Sequence, residues 1–263
     1  MTSPVKANWV ADLPRKALVA AILVAVALAG LVIGSYALWV LVSVFALLMM
    51  TEWAMLADAG GAERWIALAA VAVPLVALVP ALAGPGWVAC AIFVAAGAVI
   101  GLLTRNVQLA FGALYVGLPA LALLFIRAAP SGLMLAFWTL AVVWATDIGA
   151  YFAGRLIGGP KIAPSVSPNK TWAGLGGGML AALATGFAFH LWGGLTIGLA
   201  LASAPLAVLA QAGDFFESAL KRNAGVKDSG TILPGHGGVL DRLDGLVPVS
   251  VLVALVLAAG ITV

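Results

Sequence analysis

Nine of the chain's 23 charged residues fall between positions 214 and 244: Asp214, Glu217, Lys221, Arg222, Lys227, Asp228, Asp241, Arg242 and Asp244. One of its two histidines, His236, lies in the same stretch. Gln211, Asp214, Ser218 and Lys221 are spaced three, four and three apart, which puts them on one helical face with Glu217 alongside. Asp241 and Asp244, three apart, share a face at the start of a later apolar run. Carboxylates beside a membrane span are costly and are rarely there for packing. Carboxylates on two helix ends can clamp a hard cation, and an all-oxygen set favours Mg²⁺, which bridges to substrate phosphates. Asp214, Asp241 and Asp244, with Glu217, are the candidate metal ligands. Lys221, Arg222, Lys227 and Arg242 carry the opposite sign, Arg gripping phosphate in bidentate fashion and Lys acting as a point charge. Between them runs Pro234-Gly235-His236-Gly237-Gly238, where glycines let backbone N–H groups approach a ligand closely. Cations, backbone donors and a metal around one spot are equipment for transfer at phosphorus, where catalysis is positioning and charge neutralisation.

A second polar stretch precedes it. Asp147 lies within an apolar segment, with Tyr151 and Arg155 four and eight residues on and on the same face. An ionisable residue at that depth is a functional candidate by default. Ser165, Ser167, Asn169, Lys170 and Thr171 offer hydroxyls, an amide and an ammonium suited to a triphosphate or a base, although Ser-Pro-Asn is also ordinary turn chemistry. Gly174 and Gly178, four apart with no strand before them, read as close helix packing in lipid and not as a nucleotide loop. Glu52-Trp53 reads as an interface anchor or a distant part of the site, and His190 as structural.

The elements that must position these residues are oily. The 263-residue chain is 64% hydrophobic and 9% charged, with mean hydropathy +1.16, against about 25% charged in a soluble domain. This composition predicts an all-α, polytopic integral membrane protein. About nine spans are expected, near 17–34, 36–56, 65–83, 87–104, 109–126, 133–153, 173–192, 195–213 and 243–262. With the N-terminus in the cytoplasm, twelve of the thirteen Lys and Arg residues fall inside and only Arg127 outside, as the positive-inside rule asks. Both polar loops, 154–172 and 214–242, then face the cytoplasm. Residues 1–130 read as a lipid-facing, dimerising half and 131–263 as the catalytic half. Arg15-Lys16 before an apolar run and Ala27-Leu28-Ala29 resemble a signal peptide, but a retained first span is expected. The net charge of +3 does not indicate nucleic acid, because the positives sit at span ends and not on an aromatic-bearing soluble face. The single cysteine, Cys90, excludes an internal disulfide.

Ser218, Lys221-Arg222, Lys227-Asp228, Gly230, Pro234, His236-Gly237-Gly238, Asp241-Arg242 and Asp244 resemble, with every gap matched, the signature of the phosphatidate cytidylyltransferases (CDP-diacylglycerol synthases). Asp147, Gly149-Ala150-Tyr151 and Gly154-Arg155 resemble the family's preceding helix, and Ser167-Pro168 with Lys170-Thr171-Trp172 its Ser-Pro-x-Lys-Thr box. Ala173 and Gly245 depart from residues that members often carry. The resemblance implies reaction of CTP with phosphatidic acid to give CDP-diacylglycerol and pyrophosphate. It also implies Mg²⁺, a second monovalent cation such as K⁺, and a homodimer in a bacterial inner membrane. It gives catalytic roles to Lys221, Arg222, Lys227, Asp228, His236 and Arg242. Substrate contacts fall to Asp147, Tyr151, Arg155, Ser167, Asn169, Lys170, Thr171, Ser218, Gly237 and Gly238. Rival readings are a CTP-dependent kinase of a polyprenol or similar lipid alcohol, and, in a different class, an ion-coupled transporter using Asp147 and Asp214.

Overall fold

The computed structural model describes residues 9–232 and 237–261. Apolar runs fold as helices because in lipid every backbone polar group must be satisfied within its own segment. The helices are α1 (Trp9–Ile33), α2 (Ser35–Leu56), α3 (Gly61–Ala77), α4 (Trp87–Thr104), α5 (Val107–Ala128) and α6 (Gly132–Leu156). After a short hairpin, β1 (Lys161–Ala163) and β2 (Ser167–Thr171), come α7 (Trp172–Gly193), α8 (Ile197–Asn223), α9 (Leu240–Leu243) and α10 (Leu246–Ala258). The hairpin corrects the strictly all-α expectation. Its strands pair antiparallel, Lys161 opposite Thr171 and Ala163 opposite Ser167, so the Ser-Pro-Asn-Lys-Thr stretch is strand and not loop.

Among the described residues, six helices, α2 and α4 to α8, are long and apolar enough to cross a membrane. α3 has 17 residues and α10 has 13; at 1.5 Å per residue α10 covers about 20 Å of a hydrocarbon core of about 30 Å. The third expected span, 65–83, runs past the end of α3 at Ala77, because the segment up to Pro80 stays apolar after the helix has stopped. The eighth was drawn too short, since α8 continues ten residues past position 213 to Asn223 and carries its charged face as helix. Large apolar side chains face outward along these helices, as an integral membrane protein requires, and Trp65, Trp87, Trp172 and Trp192 are exposed near helix ends.

Polar ties fix the ends. Gly34 (φ +66) joins α1 to α2, and Arg127 donates from Nε to the Leu31 carbonyl at 2.7 Å, capping α1. Trp53 Nε1 donates to the Gln108 carbonyl at 2.8 Å, and Asn106, the N-cap of α5, donates to the Ala57 carbonyl at 3.1 Å. The end of α2 is thus pinned to the start of α5. α5 packs on α2, α4, α6 and α10, so the two expected halves share one helical body.

The α6–α7 pair is the most extensive helix contact. A Cβ at Gly149 would lie 2.6 Å from the Gly177 carbonyl oxygen, and one at Gly178 would lie 2.9 Å from the Thr146 carbonyl oxygen. Such proximity lets two backbones touch, which is how helices adhere in lipid without a hydrophobic driving force. Gly177→Leu should therefore lower the melting temperature in detergent, with overpacking costing roughly 1–3 kcal/mol. Gly198→Ala, with open space around it, should not; equal effects would contradict this packing.

Candidate active site

The polar centre is built where α8 meets the 224–245 segment. Lys221 Nζ lies 2.5 Å from Asp241 Oδ1 and 2.9 Å from Glu217 Oε2. The remaining Asp241 oxygen, Oδ2, accepts from Gly238 N at 2.8 Å and from Ser229 N and Oγ, both at 3.0 Å. Gly237 has φ +82, and a Cβ there would come within 2.7 Å of Asp241 Oδ2, so only glycine suits the position. Both Asp241 oxygens meet the ammonium and the backbone. Glu217 is 2% exposed and gives one oxygen to Lys221, while Oε1 is buried without a hydrogen-bond partner among the described residues.

A second acidic group lies beside the first. Asp214 Oδ2 pairs with Lys170 Nζ at 2.5 Å, while Asp214 Oδ1 accepts from Ser218 Oγ at 3.2 Å. Lys170 Nζ also sits 4.4 Å above the Phe215 ring, a cation–π position. Asp147, Asp214 and Asp244 repel one another electrostatically across this spot, and Lys170 is their common attractor. Gly213 permits the approach: a Cβ there would meet the Asp244 carbonyl oxygen and come within 2.9 Å of Pro248 Cγ. α8 therefore lies against the start of α10 with Asp214 directly after the point of contact. Asp244 Oδ1 accepts from Gly245 N at 2.7 Å.

Among the described residues, no three carboxylate, histidine or cysteine side chains converge tightly enough to hold a metal ion by themselves. Magnesium needs only one or two carboxylates when phosphate oxygens complete its shell. Asp214, Asp241 and Asp244 fit that requirement in donor chemistry, each offering carboxylate oxygens at this centre beside a lysine.

An apolar cavity of about 370 Å³ opens between α1, α2, α5 and α6 and ends at this centre. Leu23, Ala27, Phe45 and Leu123 line its apolar part, and Asp147, Arg242 and Asp244 line its polar end. It is apolar over most of its wall with a few polar groups at one end, the usual build of a small-molecule site.

Other expected site residues are placed elsewhere. Tyr151 and Arg155 are exposed and pair with each other, Arg155 Nη1 donating to Tyr151 Oη at 3.0 Å. Thr171 is 2% exposed and is the N-cap of α7, its hydroxyl accepting from Gly174 N at 3.0 Å; that bond occupies it as a cap and not as a substrate contact. Ser167 and Asn169 stand on β2, the latter exposed. Arg222, Lys227 and Asp228 are exposed, Arg222 reaching the Val226 carbonyl at 3.5 Å. Gly238 binds Asp241 through its N–H. His236 lies outside the described residues. His190 Nδ1 meets the Leu195 carbonyl at 2.6 Å, a structural contact far along α7.

Two further residues stand at the centre, Glu52, which the sequence offers as an interface anchor or a distant part of the site, and Tyr115, which it does not single out. Glu52, on α2, is fully buried and bonded to the 229–240 loop; its signal was a carboxylate in an apolar helix. Tyr115, on α5, packs between Trp53 and Phe216, at centroid distances of 4.8 and 5.3 Å. Its hydroxyl is buried with no hydrogen-bond partner among the described residues and lies in the field of Asp244, Glu217 and Asp214. Nothing in the spacing of α5 distinguished it from a core aromatic.

Burial pushes the Asp241 carboxyl up. The Lys221 ammonium and the N–H groups of Gly238 and Ser229 outweigh this and hold it below the usual carboxylate range. A depressed folded value gives stability that is present above the unfolded value of about 4 and lost as pH falls through the folded one. Wild type should therefore melt at a higher temperature in detergent than Asp241→Asn at pH 7, and the gap should close as pH drops below about 4. A gap of constant size down to pH 3 would show that the charge does not matter.

A model of the cytidylyltransferase family matches residues 15–259 of the chain. The phosphatidate cytidylyltransferase of Brucella suis biovar 1 (strain 1330) is 45% identical over 179 residues, 62% of this chain and 63% of that protein. Those of Bacillus subtilis (strain 168) and Haemophilus influenzae (strain Rd) are 50% and 46% identical over 116 and 125 residues, covering 43% and 44% of this chain. The chain thus spans under two thirds of the length of the curated relatives it matches. With the match running through nearly every helix and across both polar stretches, the chain belongs to the cytidylyltransferase family.

Proposed function

We propose that the protein transfers the cytidylyl group of CTP to phosphatidic acid, giving CDP-diacylglycerol and pyrophosphate. The observation that carries this is the cavity that is apolar along its walls and ends at Asp147, Arg242 and Asp244. A lipid with acyl chains in the apolar part would hold its phosphate against the acidic and basic groups at the end. The family and the names of the relatives agree with this chemistry.

In this reading a phosphate oxygen of phosphatidic acid attacks the α-phosphorus of CTP, and the bond to the bridging oxygen breaks to release pyrophosphate. A phosphate monoester is already largely ionised near neutral pH, so no general base is required. Arg242 orients the lipid phosphate. Arg222 and Lys227, exposed at the end of α8 and in the loop after it, attract the leaving pyrophosphate. Lys170, with Ser167 and Asn169, binds the triphosphate from β2, and His236 and its glycines shape the triphosphate pocket. Asp214, Asp241 and Asp244 would hold Mg²⁺, which would supply neutralisation of the phosphate charge, and a second cation such as K⁺ is part of the same proposal. Nine membrane crossings with a cytoplasmic N-terminus, a site on the cytoplasmic side of a bacterial inner membrane, and a homodimer complete the reading. The twelve-to-one distribution of basic residues supports the orientation.

Purified protein incubated with α-labelled CTP and phosphatidic acid should move label into the lipid phase and release pyrophosphate. Release of CDP with a lipid alcohol as acceptor would replace this reading by a lipid kinase; ion-driven uptake without CTP turnover would replace it by a transporter. Two variants refine the assignment. Lys170→Ala should raise the KM for CTP by roughly 10- to 100-fold, the loss of one charge-assisted phosphate contact, and leave the KM for phosphatidic acid nearly unchanged. Ala27→Phe, which fills the apolar cavity, should raise the KM for long-chain phosphatidic acid more than for a short-chain form. An equal rise for both chain lengths would remove the acyl chain from that cavity.

A further inference from the structure

Glu52 belongs to α2, far in sequence from every residue assigned a part in the reaction, yet it is 0% exposed and its carboxylate enters the loop that carries them. Oε1 accepts from Val239 N at 2.8 Å, and Oε2 accepts from Leu240 N at 2.8 Å with Ser229 Oγ 3.2 Å away. The loop closes round it on both sides: a Cβ at Gly230 would lie 2.8 Å from Oε1, and one at Gly238 would lie 2.6 Å from Oε2. The same Ser229 hydroxyl and the neighbouring Gly238 N–H meet Asp241 Oδ2. One carboxylate thus holds the two ends of the loop, residues 229–230 and 238–240, immediately before Asp241, Arg242 and Asp244.

We propose that Glu52 is a positioning residue for the transfer reaction: it fixes the 229–240 loop so that Arg242 and Asp244 stand at the polar end of the lipid cavity. A packing role alone does not account for it. A buried carboxylate bears a large desolvation cost, and an apolar side chain of the same volume generally packs at least as well. What the carboxylate adds is direction, because its oxygens accept from amides on a segment that has little secondary structure of its own. Among the described residues, Asp241 gives a second tie: its ammonium partner Lys221, itself bonded to Glu217, belongs to α8. Glu52 therefore references the loop to α2, and α2 forms one wall of the cavity. The substrate's apolar tail and the groups that meet its phosphate are set on the same helix.

The kinetic part of this inference rests on the proposed activity; the structural part does not. Glu52→Gln keeps the size and one acceptor. In detergent, its backbone amides in 229–240 should exchange hydrogen at least about tenfold faster than wild type, with α5 to α8 unchanged. Its kcat should fall roughly 10- to 100-fold, as expected when reacting groups move by about 1 Å, with the KM for CTP within a few-fold. Gly230→Ala leaves the carboxylate chemically intact but pushes it aside, and should give the same local exchange and the same split between kcat and KM. It decides the matter if Glu52→Gln does not fold. Wild-type exchange in 229–240 in a folded variant, or local loosening with unchanged kcat, would overturn the inference. Wild-type protein that makes no CDP-diacylglycerol would instead sink the proposed activity and leave the exchange result to judge Glu52.

Discussion

The Lys221 ammonium between Glu217 and Asp241 is the interaction from which the polar centre follows. It ties the end of a long membrane helix to a segment with almost no regular structure. An ion pair of this kind costs desolvation, and it is favourable only when geometry is good and the spare oxygens find donors. Asp241 meets that condition through Ser229 and Gly238. Breaking either partner leaves a charge in a place with little water, so the arrangement is all-or-none.

This divides the carboxylates into two groups with different work. Glu217 and Asp241, with Glu52, face inward; Asp241 and Glu52 have both oxygens engaged, and Glu217 gives one oxygen to Lys221. Asp214, Asp244 and Asp147 gather round Lys170 at the end of the apolar cavity. The second group has the excess of negative charge, and the Lys170 ammonium sits where it relieves that excess. A centre of this sort, with three carboxylates around one ammonium, is prepared for cations and for phosphate oxygens.

Helix packing sets the distances. Small residues carry the contacts: Gly149 and Gly177 join α6 to α7, and Gly213 brings α8 against the residues around Asp244. In lipid these close approaches replace hydrophobic burial as the source of adhesion. They also transmit position, since a glycine contact leaves no flexible side chain to absorb an error. The hairpin β1–β2 bridges α6 and α7, and Thr171, by capping α7, places the adjacent Lys170.

Charge content and hydropathy by themselves determined that this is a helical membrane protein. Gaps of three and four determined that Asp214, Ser218 and Lys221 share a face, and the clustering of charge singled out 214–244 as the site. These are local properties, fixed by helical period and by the cost of charge in lipid. The bounds of α3 and α8 were misjudged because hydropathy cannot tell where a helix stops when it leaves the apolar layer. Only the tertiary structure decided which carboxylates are spent on the loop and which remain at the cavity, because that depends on partners more than a hundred residues away, Glu52 to Leu240 above all. It alone placed Tyr115 beside the acids, turned Tyr151 and Arg155 outward, and made a strand of the Ser-Pro-Asn-Lys-Thr stretch. For Glu52 and Tyr115 the deciding contact joins segments whose spacing along the chain carries no period, so no reading of the sequence in order could contain it.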